Sequence, residues 1–400
     1  MNPTLAKFLF LNLGHFFTHL FMLLYPTVVL ALEGEWGLPY SDLIALALPG
    51  FIAYAAGALP AGWLADRFGR KGVLSIFFIG IGAASILTGF ARSPAEIAAG
   101  LGLIGLFASI YHPVGIAMVV EGREKIGKAL GINGVWGNMG VALGALVAGV
   151  LTDLLGWRFA FFVPGAIALM AGLAFVPLVK VERAQPQKRS GPALDATGRR
   201  VPRSIFLIII VGTLGSGLVF NATTVSLPKL FEDGLSMLHG SVTGVGGVVS
   251  GIVAIAAFVQ IGTGLLIDRF PVKPIWLSIV LLEIPLLALA GWAAGTGLLV
   301  LAIPLIFLVL GEIPIQDALV ARYTAEAWRS RVYAAKFVLS IGSSVAVVPL
   351  IALFHGLTGS FIGFYVLLAG VAAIVAIAAA FLPLRVRTHD RADAAPAAAE

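Results

Sequence analysis

Twelve stretches of about 20 mostly apolar residues follow one another along this chain, separated by turn-forming or charged residues. A helix of that length crosses the hydrocarbon core of a bilayer. The composition agrees, because 59% of the residues are hydrophobic against about 45–50% in soluble domains. The sequence therefore predicts an all-α integral membrane protein with twelve transmembrane helices.

The predicted spans fall into two sets of six on either side of a polar connector. Their predicted limits are 7–32, 42–64, 73–91, 95–119, 127–151, 158–179, 204–231, 241–267, 273–293, 297–322, 331–354 and 361–383. We expect two six-helix bundles at 1–180 and 204–384, a flexible basic linker at 181–203, and a disordered tail at 385–400.

A decapeptide recurs at half the chain length. Residues 62–71 read GWLADRFGRK and residues 264–273 read GLLIDRFPVK, an offset of 202 positions. Each copy forms a short basic turn between two predicted spans. A repeat at half the length indicates a duplicated unit, which in membrane proteins usually means two bundles that enclose a path.

The distribution of basic residues predicts the orientation. If both termini are cytoplasmic, only three of the 26 Lys and Arg residues, Arg92, Arg158 and Lys229, lie on the far side. The positive-inside rule favours that arrangement in an inner or plasma membrane. It also accounts for the net charge of +6, so we expect no nucleic-acid partner. The first apolar run lacks a cleavage site and is expected to stay as a helix.

Residues 62–71, in the pattern Gly-x-Leu-Ala-Asp-Arg-x-Gly-Arg-Lys, resemble the loop motif of the major facilitator superfamily, and residues 264–273 resemble its weaker second copy. The resemblance implies two pseudo-symmetric six-helix bundles that work by alternating access. Tyr111-His112-Pro113 and the glycines of 137–144 are similar to the fosmidomycin-resistance group of exporters. That group tends to carry an Asp four residues after a first-span His, where this chain has His19.

The superfamily resemblance also implies a cytoplasmic gate. In it, Asp66 would contact the start of the eleventh span near Arg329 and Arg331, and Asp268 would face Lys128. The alternative is that the loop arginines anchor the turn on the inner leaflet. The predicted gate residues are Asp66, Arg67, Arg70, Asp268, Arg269, Arg331 and Lys336.

The first half supplies several polar candidates for a cavity. His15 and His19 are four residues apart and share a helical face with Asn12. Such a polar stripe is costly toward lipid and is expected to face the bundle interior. Interhelical hydrogen bonding without a ligand is the structural alternative for this stripe. At His112 the structural alternative is a helix kink. The candidates are Asn12, His15, His19, Tyr111, His112 and Asn138.

The second half adds ionisable groups. Asp317 and Lys336 lie at similar depth in their helices, which predicts a salt bridge. Glu312 lies deeper and is the preferred carboxylate for protonation, ahead of Glu283, whose span corresponds to a peripheral helix in the superfamily. The cavity candidates are Asn221, Gln260, Glu312 and Gln316, and the proton-coupling candidates are His15, His19, Glu312 and Asp317.

These features predict a monomeric secondary transporter in the lipid bilayer for a small organic solute. Proton coupling is expected, and efflux is slightly favoured by the resemblance. The substrate can be polar and neutral, weakly anionic or amphipathic. The alternative is uptake of a transition-metal ion or complex by His15, His19 and Met22, because imidazole and thioether both bind such metals. No nucleophile with its base is recognised, so we expect neither an enzyme nor a cofactor.

Overall fold

The computed structural model of the protein describes residues 3–121, 126–179, 203–323 and 326–384. The predicted linker, apart from residue 203, and the predicted tail therefore lie outside the described residues. The helices of the first half are Pro3–Trp36, Tyr40–Ala45, Leu48–Phe68, Arg70–Gly89, Pro94–Ala108, Tyr111–Gly115, Ile116–Val120, Ile126–Leu155 and Phe159–Leu178. Those of the second half are Arg203–Gly234, Ser236–Leu238, Val242–Ala257, Val259–Arg269, Val272–Ala290, Gly295–Gly311, Ile313–Tyr323, Glu326–Thr358 and Ile362–Ala380.

The described helices form twelve candidate membrane spans, and each one overlaps a predicted span. The differences are at the ends, where the structure extends the first span to Thr4–Trp36 and the seventh to Ser204–Gly234. Because the number of spans is even, residues 3 and 384 lie on the same side. We call that side the termini face and the other the far face.

Helix packing repeats between the two halves. In the first half, the fifth-span helix Ile126–Leu155 packs along Pro3–Trp36, and Phe159–Leu178 packs along Arg70–Gly89. In the second half, the first and fifth spans of that half pack along each other, and so do its third and sixth spans. The predicted architecture of two pseudo-symmetric six-helix bundles is therefore confirmed.

The bundles meet closely near the far face through the fifth and eighth spans. Ser250 Oγ donates a hydrogen bond to the carbonyl of Ala142 and accepts one from the amide of Leu146 at 3.1 Å. A Cβ added to Gly149 would lie 2.5 Å from the carbonyl oxygen of Val242. Only a residue without a side chain allows backbones to approach so closely.

The same two helices diverge toward the termini face. A Cβ added to Gly131, Gly134, Gly262 or Gly264 would have no described heavy atom within 4 Å outside its own helix. Val135 and Leu265, from the same halves of the two helices, are 47% and 56% exposed. Among the described helices, Ile126–Leu155 packs along Val242–Ala257 and not along Val259–Arg269, so at this contact the bundles are closed at the far face and separated at the termini face.

Candidate functional site

His15 and His19 form the centre of a polar cluster in the first bundle. His15 Nδ1 lies 2.7 Å from the backbone oxygen of Asn133, and since a carbonyl only accepts, this nitrogen carries the proton. His15 Nε2 is then an acceptor, 3.2 Å from Nε2 of His19. Gly137 makes room for the ring, because a Cβ there would lie 2.6 Å from His15 Cε1.

His112 joins this cluster through a local change of helix type. Residues Tyr111–Gly115 form a π-helical turn around Pro113, which has no amide hydrogen to continue a regular α-helix. His112 Nδ1 lies 3.1 Å from the hydroxyl of Tyr54. One ring nitrogen each of His15, His19 and His112 lies within 4.8 Å of the other two. The proline thus distorts the fourth span next to the imidazole that approaches His15 and His19.

Asn133 connects the cluster, although the sequence pattern favours Asn138 in its place. Its Nδ2 donates to Asn12 Oδ1 at 3.0 Å and to the hydroxyl of Tyr111 at 2.8 Å. The Tyr111 ring stacks on His15 with centroids 5.1 Å apart. Among the described residues, the side chain of Asn138 has no hydrogen-bond partner. The available signal was the spacing of Asn133 to Gly137, which places both on the helix face toward the first span.

Glu312 is the centre of a second polar cluster, in the other bundle. It lies at the break between helices Gly295–Gly311 and Ile313–Tyr323, just before Pro314, which cannot donate a helical hydrogen bond. Its Oε1 accepts hydrogen bonds from Ser216 Oγ at 2.6 Å and Trp276 Nε1 at 2.5 Å. The residue is 3% exposed.

A second carboxylate, Glu283, accompanies Glu312. It is 1% exposed, it interacts electrostatically with Glu312, and its Oε1 has no hydrogen-bond partner among the described residues. The sequence ranks Glu283 lower because of its peripheral span, but its side chain points inward. Gln316 completes the cluster by donating from Nε2 to Ser216 Oγ at 3.3 Å.

The remaining predicted cavity residues behave differently. The Asn221 side chain donates to the backbone oxygen of Gly217 at 2.8 Å and to that of Ser340 at 3.4 Å, so it bridges the seventh and eleventh spans. Nε2 of Gln260 has no partner among the described residues. Met22 is partly buried and packs against the apolar core.

The predicted salt bridge between Asp317 and Lys336 is present, with Nζ and Oδ1 2.5 Å apart. Lys336 is therefore engaged inside the second bundle. Arg70 contacts Glu121 at 3.1 Å within the first bundle, and Lys7 contacts the same carboxylate at 2.7 Å.

The other predicted gate residues on the two turns are solvent-exposed: Asp66, Arg67, Asp268 and Arg269. The expected contacts of Asp66 with Arg331 and of Asp268 with Lys128 involve side chains outside those described.

An ionic cluster that the sequence reasoning missed closes the far face. Lys229 Nζ lies 2.7 Å from Glu33 in the first bundle, and 2.8 and 3.2 Å from Glu232 and Asp233 on its own helix. His355 Nε2 lies 3.5 Å from Asp233. The sequence identifies Lys229 only as a far-side basic residue. The available signal was the presence of opposite charges at the far ends of the first and seventh spans, which are equivalent in the repeat.

The two polar clusters occupy comparable positions. His15 lies twelve residues from the start of its helix at Pro3, and Glu312 lies eleven from Tyr323, or about 18 and 16 Å of helical rise. His112 directly precedes Pro113, and Glu312 lies two residues before Pro314, in equivalent spans. The Phe337 ring of the second bundle lies 5.5 Å from His112. The arrangement offers imidazole, phenol and amide groups on one side and a buried carboxylate pair on the other.

Comparison with known sequences connects these features to one family. The family model described as Major Facilitator Superfamily matches residues 11–335. The puromycin resistance protein pur8 of Streptomyces alboniger is 35% identical over 124 residues, covering 30% of this chain and 24% of that protein. The 4-hydroxybenzoate transporter PcaK of Pseudomonas putida is 25% identical over 281 residues, covering 60% of this chain and 61% of that protein. The chain thus spans less than two thirds of the length of these curated relatives.

Solved structures agree with the fold. A bacterial homolog of the human lysosomal transporter Spinster, in an inward-facing and unoccupied conformation, superimposes with a TM-score of 0.74 at 16% identity, covering 95% of this chain and 96% of that one. A D-xylose-proton symporter superimposes with a TM-score of 0.72 at 14% identity, covering 96% and 99%. At such identities the likeness concerns the fold.

Proposed function

Because the chain belongs to the Major Facilitator Superfamily, we propose that it moves a small organic solute across the membrane by proton-coupled alternating access, with export as the favoured direction. The observation that supports this proposal is the pair of buried polar clusters, His15–His19–His112 and Glu283–Glu312, in equivalent regions of the two bundles. Both lie at membrane depth, where ionisable groups are energetically costly and usually mark a substrate or proton pathway.

Glu312 is proposed as the proton site. A proton bound by Glu312 or Glu283 removes the repulsion between two buried negative charges, which is large in a low dielectric. Ser216 and Trp276 donate to Glu312 Oε1 and stabilise the charged form when the proton leaves. The donors thus stabilise the charged form of Glu312, and repulsion from Glu283 favours the protonated form. Asp317 is less suitable because it is paired with Lys336.

The proposed cargo is polar and neutral, weakly anionic or amphipathic. The imidazoles of the first bundle provide hydrogen bonds without a fixed charge. Relatives named for puromycin resistance and for 4-hydroxybenzoate transport both handle small organic compounds. Export is favoured by the resistance proteins among the relatives and by the resemblance of Tyr111-His112-Pro113 to the fosmidomycin-resistance group.

We place the termini face on the cytoplasmic side of an inner or plasma membrane, as the positive-inside rule predicts. The structure is then closed at the outer surface by Lys229 and Glu33 and separated at the inner one. This is the state in which an exporter loads its solute. In the opposite state Asp66 is proposed to close the inner side, so Asp66→Ala should lower transport at near-normal membrane abundance.

Reconstituted vesicles with an imposed pH gradient and an internal pH dye test the proposal. Puromycin, 4-hydroxybenzoate and related aromatic acids form the first solute panel. We expect saturable, solute-dependent proton movement that is lost in Glu312→Gln. The matched control is Glu35→Gln, an exposed carboxylate of the first bundle, which should behave as wild type. Unsaturable flux that is equal in all three proteins would refute a proton-coupled carrier.

Uptake of a transition-metal ion is the second candidate, and the approach of His112 to His15 and His19 favours it. In this arrangement His112, rather than Met22, supplies the third ligand. The same vesicles loaded with a metal-sensitive dye distinguish the two cargoes. Metal accumulation that disappears in His15→Ala and His19→Ala would support this candidate, and its absence in wild type would remove it.

A further inference from the structure

Three imidazoles from two helices converge on one point in the wall of the first bundle. His15 Nε2 and His19 Nε2 are 3.2 Å apart, and the ligand nitrogens of His15, His19 and His112 all lie within 4.8 Å of one another. In a tetrahedral zinc centre with Zn–N bonds of about 2.0–2.1 Å, the nitrogens are about 3.3 Å apart. Two of the three nitrogens therefore already have ligand spacing, and the third needs to move by at most about 1.5 Å.

The surrounding hydrogen bonds orient the rings for metal binding. His15 donates its Nδ1 proton to the Asn133 carbonyl, which leaves the Nε2 lone pair directed at His19. Metal-binding histidines usually donate the other ring nitrogen in this way, and such outer partners fix tautomer and orientation. His112 Nδ1 lies 3.1 Å from the Tyr54 hydroxyl, which can accept the Nδ1 proton and so leave Nε2 as the ligand.

The position of Asn133 is itself fixed. Its side chain donates to Asn12 Oδ1 and to the Tyr111 hydroxyl, and that hydroxyl donates to the Leu11 carbonyl at 2.7 Å. The outer shell is therefore a connected network across the first, fourth and fifth spans. This network holds the His15 ring in place, and an ion then needs the His19 proton to move from Nε2 to Nδ1 and the His112 ring to approach.

We propose that His15, His19 and His112 form a binding site for a first-row divalent metal ion of the Zn²⁺ class, with a fourth coordination position left for an external ligand. Three neutral nitrogens with an open position are a common donor set for such ions. The ion keeps its double charge there, so the fourth position favours an anionic ligand such as a carboxylate. The proposal concerns binding and does not rest on which cargo the protein carries.

Cobalt provides a direct spectroscopic probe. The full-length protein, purified in detergent and freed of metal with a chelator, is titrated with Co²⁺ and then with Zn²⁺. We expect the intense visible absorption of four-coordinate Co²⁺ at one ion per chain, displaced by one equivalent of Zn²⁺. His19→Gln and His112→Gln should each abolish the absorption.

Two matched variants separate this site from its alternatives. Met22→Leu should leave the Co²⁺ spectrum unchanged, because Met22 packs in the core. His355→Gln, at the far-face cluster, should also leave it unchanged. Circular dichroism and gel filtration establish that the histidine variants are folded.

Absence of the absorption in wild type would overturn the proposal, as would an unchanged spectrum in a folded His19→Gln, His112→Gln double variant. Solute-driven proton movement, measured with chelator present, is a separate readout. Its failure would count against the proposed transport function and leave the metal site standing.

Discussion

The ion pair between Lys229 and Glu33 predicts how strongly the far face is held closed. Glu33→Gln removes the charge that reaches Lys229 from the other bundle, while Glu232 and Asp233 continue to compensate the lysine on its own helix. The substitution therefore weakens the contact between bundles without leaving a buried charge unpaired. We expect the protein to fold and the conformational equilibrium to move away from the closed far face.

The burial of the two side chains sets the size of the effect. Lys229 and Glu33 are 11% and 26% exposed and 2.7 Å apart. Hydrogen bonds to charged groups contribute about 1.5–3 kcal/mol, whereas exposed ion pairs contribute about 0.2–1 kcal/mol. An intermediate value of about 1–1.5 kcal/mol changes the ratio of closed to open molecules by about 5- to 13-fold.

Spin-label distance measurements can read this ratio, because the chain contains no cysteine that must first be removed. Labels are placed at Leu155→Cys in the first bundle and Leu357→Cys in the second, both exposed near the far face. We expect Glu33→Gln to increase the long-distance population. The control Glu35→Gln breaks an exposed pair with Arg158 inside the first bundle and should change nothing. Distance distributions that are the same in all three proteins would refute the reasoning.

Three further substitutions test the polar cluster around His15 and the contact between the two bundles. Asn133→Ala leaves the Tyr111 hydroxyl without its amide partner, and we expect a loss of about 1–3 kcal/mol in stability, visible as a lower melting temperature; an unchanged value would contradict the network. Gly137→Ala forces a Cβ against the His15 ring, so solute affinity should fall with little change in expression; wild-type affinity would show that the ring position is unimportant. Ser250→Ala removes the hydrogen bonds to the fifth span and should increase the open far-face population in the same spin-label experiment, where a wild-type distribution would contradict it.

The fold could be predicted from the sequence because apolar length and charge position are one-dimensional properties. The same reasoning located the Asp317–Lys336 pair, since counting residues from helix ends gives depth directly. The depth of a residue in the membrane does not show which side of its helix it faces. Asn133 and Asn138 lie in the same glycine-rich stretch, and only the packing against the first span shows which one faces the cluster.

The sequence could not predict the irregular helix around His112 or the contacts between the two bundles. A π-helical turn inserts one residue and rotates the next part of the helix by about 100°, so the partners of His112 could not be derived from regular spacing. Tyr54 was missed for that reason. Glu33 and Lys229 are 196 positions apart in different bundles, and they meet only because the two bundles pack together at the far face. No periodicity within one helix reports such a contact.

The close contact of Gly149 with Val242 and of Ser250 with the fifth span has a mechanical consequence. It lies toward the far face, so in the alternating access proposed above we expect it to act as the fulcrum about which the fifth and eighth spans rotate. From Leu146 to Gly131 the arm is about 22 Å long, and a rotation of about 15°, as in other rigid-body transitions, displaces its end by about 6 Å. The same rotation moves atoms beside Ser250 by only about one or two ångströms, so we expect a small change there to open or close the passage at the termini face.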